Sequence, residues 1–411
     1  MINWIETSLG EISKFIQYGY TESASQEPIG PKFLRITDIQ GDCINWSDVP
    51  YCKISSNDYK KYKLEMGDIV IARTGNSTGA TAFINDNIDA VFASYLIRYK
   101  IDPKIADPFY IGILLRSKKW KSFVNSIKGG SAQAGANAKI FAEFPISLPP
   151  IEDQRRIAHF VLLFDDKINL LRRQNETLEQ IAQTLFKRWF VDFEFPYDFA
   201  QGKPDLNGQP YKSSGGEMVA SELGEIPKGW RIGKFGDEFT IIMGQSPPGK
   251  SYNEDQDGEI FFQGRTDFGF RFPKVRIYTN QPKRMAKKLD VLVSVRAPVG
   301  DVNIAMDKCC IGRGLAAVSS KRKSYCLYKV KSLKRIFDLF ESEGTVFGAL
   351  NKENFHNIDN ILPEIAIISQ FENITSYIDN KIFNNELEIR TLINIRDKLL
   401  PKLMSGKIRI K

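Results

Sequence analysis

The sequence predicts an α+β protein assembled twice over: two globular domains, each followed by a long helix, with the two helices paired as an antiparallel coiled coil. Three observations predict it. Landmarks of the first half recur in the same order in the second, two stretches carry sustained heptads, and a proline- and glycine-rich segment separates the halves. At 411 residues, 42 % hydrophobic and 26 % charged, the chain is long enough for two or three domains with proper cores.

Residues 1–150 read as the first globular domain and 221–363 as the second. Leu9-Gly10-Glu11 is echoed by Phe235-Gly236-Asp237, and Ile36-Thr37-Asp38-Ile39 by Arg265-Thr266-Asp267-Phe268. Both pairs read as strand starts. Gly67-Asp68-Ile69-Val70-Ile71-Ala72-Arg73 returns as Leu289-Asp290-Val291-Leu292-Val293-Ser294-Val295-Arg296, a β-branched run between an acid and an arginine. Such a run predicts a buried strand leading into a glycine loop, with Arg73 and Arg296 in equivalent places.

Leu148-Pro149-Pro150-Ile151-Glu152-Asp153-Gln154 opens the first long helix, over 151–195, and Leu362-Pro363-Glu364 opens the second, over 364–411. Ile157, Val161, Phe164, Ile168, Leu171, Asn175, Leu178 and Leu185 alternate spacings of four and three, the seam of a coiled coil. Phe371, Ile378, Ile382, Asn385, Ile389, Leu392 and Leu399 keep that register on the second helix. Each helix follows its own domain, so the simplest closed arrangement, given the pseudo-twofold symmetry of the duplication, pairs them antiparallel within the chain; the alternative is that each stripe packs on the domain beside it. Asn175 and Asn385 are then placed to fix the register at some cost in stability. Residues 196–220, with Pro196, Pro204, Pro210 and Ser213-Ser214-Gly215-Gly216, read as the linker between halves.

The net charge of +8 lies mainly in the globular parts and the second helix; the first helix is not basic. That balance fits nucleic acid and fits a solvated basic face equally. Five cysteines without CxxC spacing and only two histidines argue against a zinc site. No apolar run suggests a membrane span, and Met1 to Gly10 lacks the regions of a secretory signal, so a cytoplasmic location is expected.

The order of domain, Leu-Pro-Pro-x-x-x-Gln helix, Trp189-Phe190-Val191-Asp192-Phe193, Leu223-Gly224-Glu225-Ile226-Pro227-Lys228-Gly229-Trp230, second domain and second helix resembles the specificity subunit of type I restriction-modification enzymes. The resemblance spans the whole chain. It implies two target-recognition domains, each reading half of a split, asymmetric site on double-stranded DNA, and a helical spacer. It implies as partners two modification subunits docking on the helices and recognition domains, and restriction subunits in the full complex. S-adenosylmethionine, ATP and Mg are then expected in those partners and no cofactor in this chain, which is not itself an enzyme.

Residues 244–251 match the P-loop expression GxxxxGK[ST] letter for letter, which makes a DNA-processing NTPase the rival reading. The acidic, glycine-terminated stretch that follows is a poor helix, and two prolines remove amide donors from any phosphate cradle. A polar loop facing DNA is the expectation instead. Asp165-x-Lys167 and Asp379-x-Lys381 resemble part of a nuclease site but lie within the seams, where solvated helix charges explain them. Neither a methyltransferase cofactor loop nor its catalytic tetrapeptide occurs.

Base readout needs donors and acceptors on loops held by a rigid scaffold. In the first domain the candidates are Arg73, Thr74, Asn76, Ser131, Gln133, Asn137 and Lys139. In the second they are Gln245, Ser246, Lys250, Gln263, Arg265, Arg271, Arg296, Arg313 and Lys352. Arg73 and Arg296 have Asp68 and Asp290 as alternative partners. Lys118, Lys119, Lys121 and Lys128 are spaced to neutralise phosphates, or to form an ordinary wet surface.

Overall fold

A computed structural model describes residues 4–39, 44–129, 137–342 and 350–410. The chain divides into two compact units, one of Met1–Leu170 with Glu388–Lys411 and one of Leu171–Leu387.

The globular part of the first unit holds strands β1 (Ile5–Ser8), β2 (Ser13–Tyr18), β3 (Lys32–Leu34), β4 (Asp68–Ala72), β5 (Thr81–Phe83), β6 (Ala90–Phe92), β7 (Leu96–Ile101) and β8 (Pro145–Leu148). Helices α1 (Ser56–Tyr62), α2 (Pro108–Leu114), α3 (Lys118–Gly129) and α4 (Ala138–Ala142) join them. A four-stranded sheet runs β2-β7-β4-β5, β1 pairs antiparallel with β8, and β3 pairs parallel with β6. The centre is β4, buried at every position. Its alternate side chains feed two cores, Ile69 and Ile71 on one face with Tyr99 and Trp120, Val70 and Ala72 on the other with Leu34 and Phe92. A strand covered on both faces reads as a continuous apolar run. From β8 the chain enters α5 (Ile151–Phe190), whose buried Gln154 accepts from the Asp107 amide and donates to the Pro149 carbonyl.

In the second unit the segment expected as a linker is itself folded. Strands β9 (Pro196–Asp198), β10 (Lys203–Pro204) and β11 (Gln209–Pro210) form a small sheet, and β12 (Met218–Ser221) pairs with β13 (Gly224–Pro227). Phe195 stacks on Tyr211 at 4.6 Å and on Trp230 at 5.5 Å, all three buried, so aromatic packing fixes these turns. The recognition domain follows with β14 (Arg231–Lys234), β15 (Thr240–Met243), β16 (Tyr252–Asn253), β17 (Glu259–Phe262), β18 (Ile277–Thr279), β19 (Met285–Ala286), β20 (Val291–Ser294), β21 (Val302–Ile304), β22 (Cys309–Ile311), β23 (Leu315–Ser319) and β24 (Asp359–Leu362). Its helices are α6 (Phe235–Glu238), α7 (Lys323–Ser332), α8 (Lys334–Ser342) and α9 (Lys352–His356), and α10 (Ile365–Met404) follows.

The topology repeats. The β15-β23-β20-β21 sheet reproduces β2-β7-β4-β5, the β14–β24 pair reproduces β1–β8, and the parallel β17–β22 pair reproduces β3–β6. Strand β20 again splits its side chains, Val291 and Val293 to one core and Leu292 to another. The landmarks read as strand starts are not strands. Residues 36–39 and 9–11 are turns, 235–238 is α6, and Arg265–Asp267 is a 3-10 turn, because Asp38, Asp237 and Asp267 spend their carboxylates on local turn contacts or a nearby arginine.

Within each unit the helices run antiparallel. In the first, the start of α5 lies along the end of α10, and Asp165 accepts from Arg396 at 2.6 Å. In the second, the end of α5 lies along the start of α10, and buried Asn385 donates to buried Asn175 at 2.8 Å. Of the predicted seam, Ile157, Val161, Ile168, Leu171, Phe371, Ile382 and Ile389 are buried, and Phe164, Leu178, Leu185, Ile378, Leu392 and Leu399 are partly so. No described helix is long and apolar enough to cross a membrane.

Candidate nucleic-acid interface

In each unit the central strand starts from the same device. Asp68 and Asp290 are fully buried, and each accepts a backbone amide three residues upstream, from Glu65 and Lys287, at 2.9 Å. The residue before each, Gly67 or Leu289, has positive φ. Their second partners are Arg98 and Lys100 in the first unit and Lys323 in the second, so neither aspartate holds Arg73 or Arg296.

At the other end of the strand the loops are stitched together by main-chain bonds. In the first unit the amides of Gly19, Tyr20, Ala93 and Arg73 donate to the carbonyls of Leu96, Phe92, Leu34 and Tyr95. In the second, Gly244, Gln245, Gly312 and Val295 donate to Leu315, Ile311, Phe262 and Gly314. The scheme is the same bond for bond. A Cβ on Gly19 would collide with the carbonyl oxygen of Ala93, and one on Gly244 with that of Gly312, so both positions require glycine. The first glycine of the P-loop-like sequence is therefore explained by packing. Its last residues form a 3-10 turn, Gly249–Ser251, with Ser251 buried against Thr279 at 2.8 Å, and no phosphate-capping helix follows.

The strand register also corrects one equivalence. Ala72 faces Leu96 and Ser294 faces Leu315, so Arg73 corresponds to Val295, not Arg296. The echoed run is one residue longer in the second half, and a one-residue slip exchanges an outward arginine for a buried valine.

Most first-domain candidates gather at this loop end. Arg73 lies half-buried between Tyr18 and Tyr95, with Thr74 beside it and Asn76 exposed on the following 3-10 turn. Lys128 reaches the Asn76 carbonyl. The N-terminus of α4 borders them, since the Ala138 amide donates to the Tyr18 hydroxyl at 3.1 Å. Asn137 is that helix's cap, accepting from the Ile140 amide, as Asn351 caps α9 by accepting from Asn354. Lys139 and Lys352 are exposed on those helices. Ser131 and Gln133 lie outside the described residues. Tyr18 and Tyr95 were not selected from the sequence; an aromatic in a turn between two apolar strands, where burial is not available, is the signal for Tyr95.

In the second domain Gln245, Lys250, Gln263, Arg296 and Arg313 are exposed, and the Ser246 hydroxyl accepts from the Arg313 amide. Arg265 is exposed but pairs with Asp301. Among the described residues no cluster of histidine, cysteine and carboxylate side chains suits a metal ion.

The model of the family described as a type I restriction modification DNA specificity domain matches residues 1–180 and 227–391. The chain belongs to that family. It is 31 % identical, over its whole length and 94 % of the relative's, to a putative MjaX specificity subunit of Methanocaldococcus jannaschii. To the HindI specificity subunit of Haemophilus influenzae it is 25 % identical, over 99 % of this chain and all of that one. The fold matches the solved S subunit of a type I restriction-modification system from M. genitalium with a TM-score of 0.58, 14 % identity, and 98 % and 96 % of the two chains covered. In this specificity subunit the described loop ends combine a cradle of main-chain hydrogen bonds with exposed polar side chains.

Two expectations for this specificity subunit fail. Arg271 is not an exposed loop residue: it is 2 % exposed, held by Glu179 of α5 at 2.8 Å and Asp379 of α10 at 2.5 Å. Burial raises the Glu179 pKa, but Arg271 and Lys331 outweigh it and hold the carboxyl below its ordinary value. Asp165 and Asp379 are likewise not solvated helix charges. Asp165 is buried and takes Arg116 at 2.7 Å and Arg396, while Asp379 takes Arg271 and the Tyr328 hydroxyl. In each unit, then, an aspartate at the same place in its seam holds an arginine of the adjoining globular domain.

Proposed function

We propose that this specificity subunit reads a bipartite, asymmetric duplex site, one half per globular domain, and docks modification subunits while doing no chemistry itself. The observation that carries this reading is the duplicated loop cradle: the same main-chain bonds support Arg73, Thr74 and Asn76 in one unit and Gln245, Gln263 and Arg313 in the other. One scaffold bearing unlike side chains suits two unlike half-sites, since side chains at base edges carry specificity while phosphate contacts position. Apolar residues left exposed on the helices, Leu163, Leu170 and Ile395 in the first unit and Ile181, Tyr377 and Leu387 in the second, support docking of two modification subunits and, through them, restriction subunits. S-adenosylmethionine, ATP and Mg belong in this reading to those partners. The complex works where the DNA is, in the cytoplasm.

The test is a binding selection from randomised duplexes with the full chain assembled with its modification subunits. The expected result is two unlike blocks of fixed bases separated by a constant number of unspecified pairs. A single block, or a palindrome, overturns it.

A further inference from the structure

The first unit's globular domain contains four arginines, Arg35, Arg73, Arg98 and Arg116. Three are spent on carboxylates: Arg35 on Asp38, Arg98 on Asp68 and Arg116 on Asp165. Arg73 has no carboxylate partner among the described residues, yet its position is fixed. Its amide donates to the Tyr95 carbonyl at 3.0 Å and its Nε to the Ser94 carbonyl at 3.1 Å, so main chain and side chain are tied to one turn. The guanidinium lies 5.3 Å from the ring centre of Tyr18 and 5.8 Å from that of Tyr95. Both rings are open to solvent, at 43 % and 53 % exposure.

With Nε occupied, the guanidinium's side-on fork is closed. The end-on pair, Nη1 and Nη2, donates to no described residue and is left as two parallel donors. Ring contacts on a guanidinium hold it without consuming a donor, and they restrict the rotamers that a free arginine would lose on binding. Two parallel donors match two adjacent acceptors. In the major groove guanine alone presents them, as O6 and N7, whereas adenine offers one acceptor beside a donor.

From this we infer that Arg73 is a guanine-reading residue of the first half-site, with Tyr18 and Tyr95 as its positioning residues. The inference rests on the bipartite reading above and adds one base to it. It is confined to one half, because the equivalent position in the second unit is the buried Val295.

The same selection from random duplexes, run on the assembled complex with wild type, Arg73→Lys and Tyr95→Leu, decides it. Lysine keeps the charge but lacks the fork, so Arg73→Lys should bind the pool as a whole within a few fold of wild type. At one position of one block the preference for guanine should fall roughly 5- to 150-fold, with every other position unchanged. Tyr95→Leu should give a partial loss at that same position only. An unaltered motif in Arg73→Lys overturns the assignment, and so does an even loss across all sequences, which marks a phosphate contact. If the wild-type complex selects no two-block motif, the bipartite reading falls first and the assignment with it. A wild-type motif that survives the substitution sinks the assignment alone.

Discussion

An arginine's role is set by what surrounds its five donors. Arg271 and Arg73 both looked like loop arginines, but Arg271 is buried between Glu179 and Asp379, which lie far from it in the chain. No local pattern could show that, since the pairing exists only once the helices have docked. Removing the cation leaves two carboxylates in the interior, so Arg271→Met should cost about 3–5 kcal/mol in urea unfolding, and the motif selected by whatever remains folded should be unchanged. A changed motif would return Arg271 to the DNA. Lys329 offers a second residue-scale test. Burial pulls its ammonium down from 10.5 to about 8, against the opposing pull of Glu238. Between those values the unfolded chain holds a proton that the folded chain has released, so this group's contribution to stability rises with pH across that window. Stability measured as wild type minus Lys329→Met should therefore shift in favour of wild type by ~3 kcal/mol between pH 7 and pH 11. A flat difference would show that the lysine stays charged in the fold.

At the scale of elements the long helices were the most legible part of the sequence, because a seam is a local periodicity that packing can only use or waste. The Pro- and Gly-rich segment was less so: its turns are visible in sequence, but the stacking of Phe195 on Tyr211 and Trp230 is a tertiary event. The asparagine pair gives the seam a test. Asn175→Leu alone leaves Asn385 buried without its partner and should cost about 1–3 kcal/mol. Asn175→Leu with Asn385→Leu should recover that loss or exceed it, while relaxing the register. A double variant as unstable as the sum of the singles would show that the asparagines have other partners. Each helix, at 40 residues and about 1.5 Å per residue, is about 60 Å long. On the bipartite reading it sets the gap between half-sites. Inserting one heptad between Leu171 and Leu178 adds about 10 Å, which should widen the gap by about one to three pairs and leave both blocks as they were. A two-residue insertion turns the stripe away from its partner and should abolish recognition. If the heptad variant still selects the original gap, the helices do not set it.

For the whole molecule, the repeat was legible as an order of landmarks and not as an alignment. The order survives because buried strands need the same run of residues twice; the alignment slipped by one at Arg73 because only the pairing of Ala72 with Leu96 and of Ser294 with Leu315 fixes it. The same repeat argues against a nucleotide site at 244–251, since Gly19 has the same packing need with no P-loop sequence around it. Lys250→Ala should accordingly leave ATP hydrolysis by an assembled complex unaltered once DNA binding is matched. ATP affinity of the chain alone, lost with Lys250, would revive the rival reading. The two crowded glycines bear on how a genetic search would read this molecule. On the bipartite reading, a screen that scores only loss of recognition would return Gly19→Ala and Gly244→Ala, each as a defect in one half-site, and both would be mapped as points of contact. Neither residue has a side chain to touch a base. The apparent footprint would outline the ledge on which the reading side chains stand, and the side chains themselves, free to change without disturbing that ledge, would return as altered specificities instead of losses.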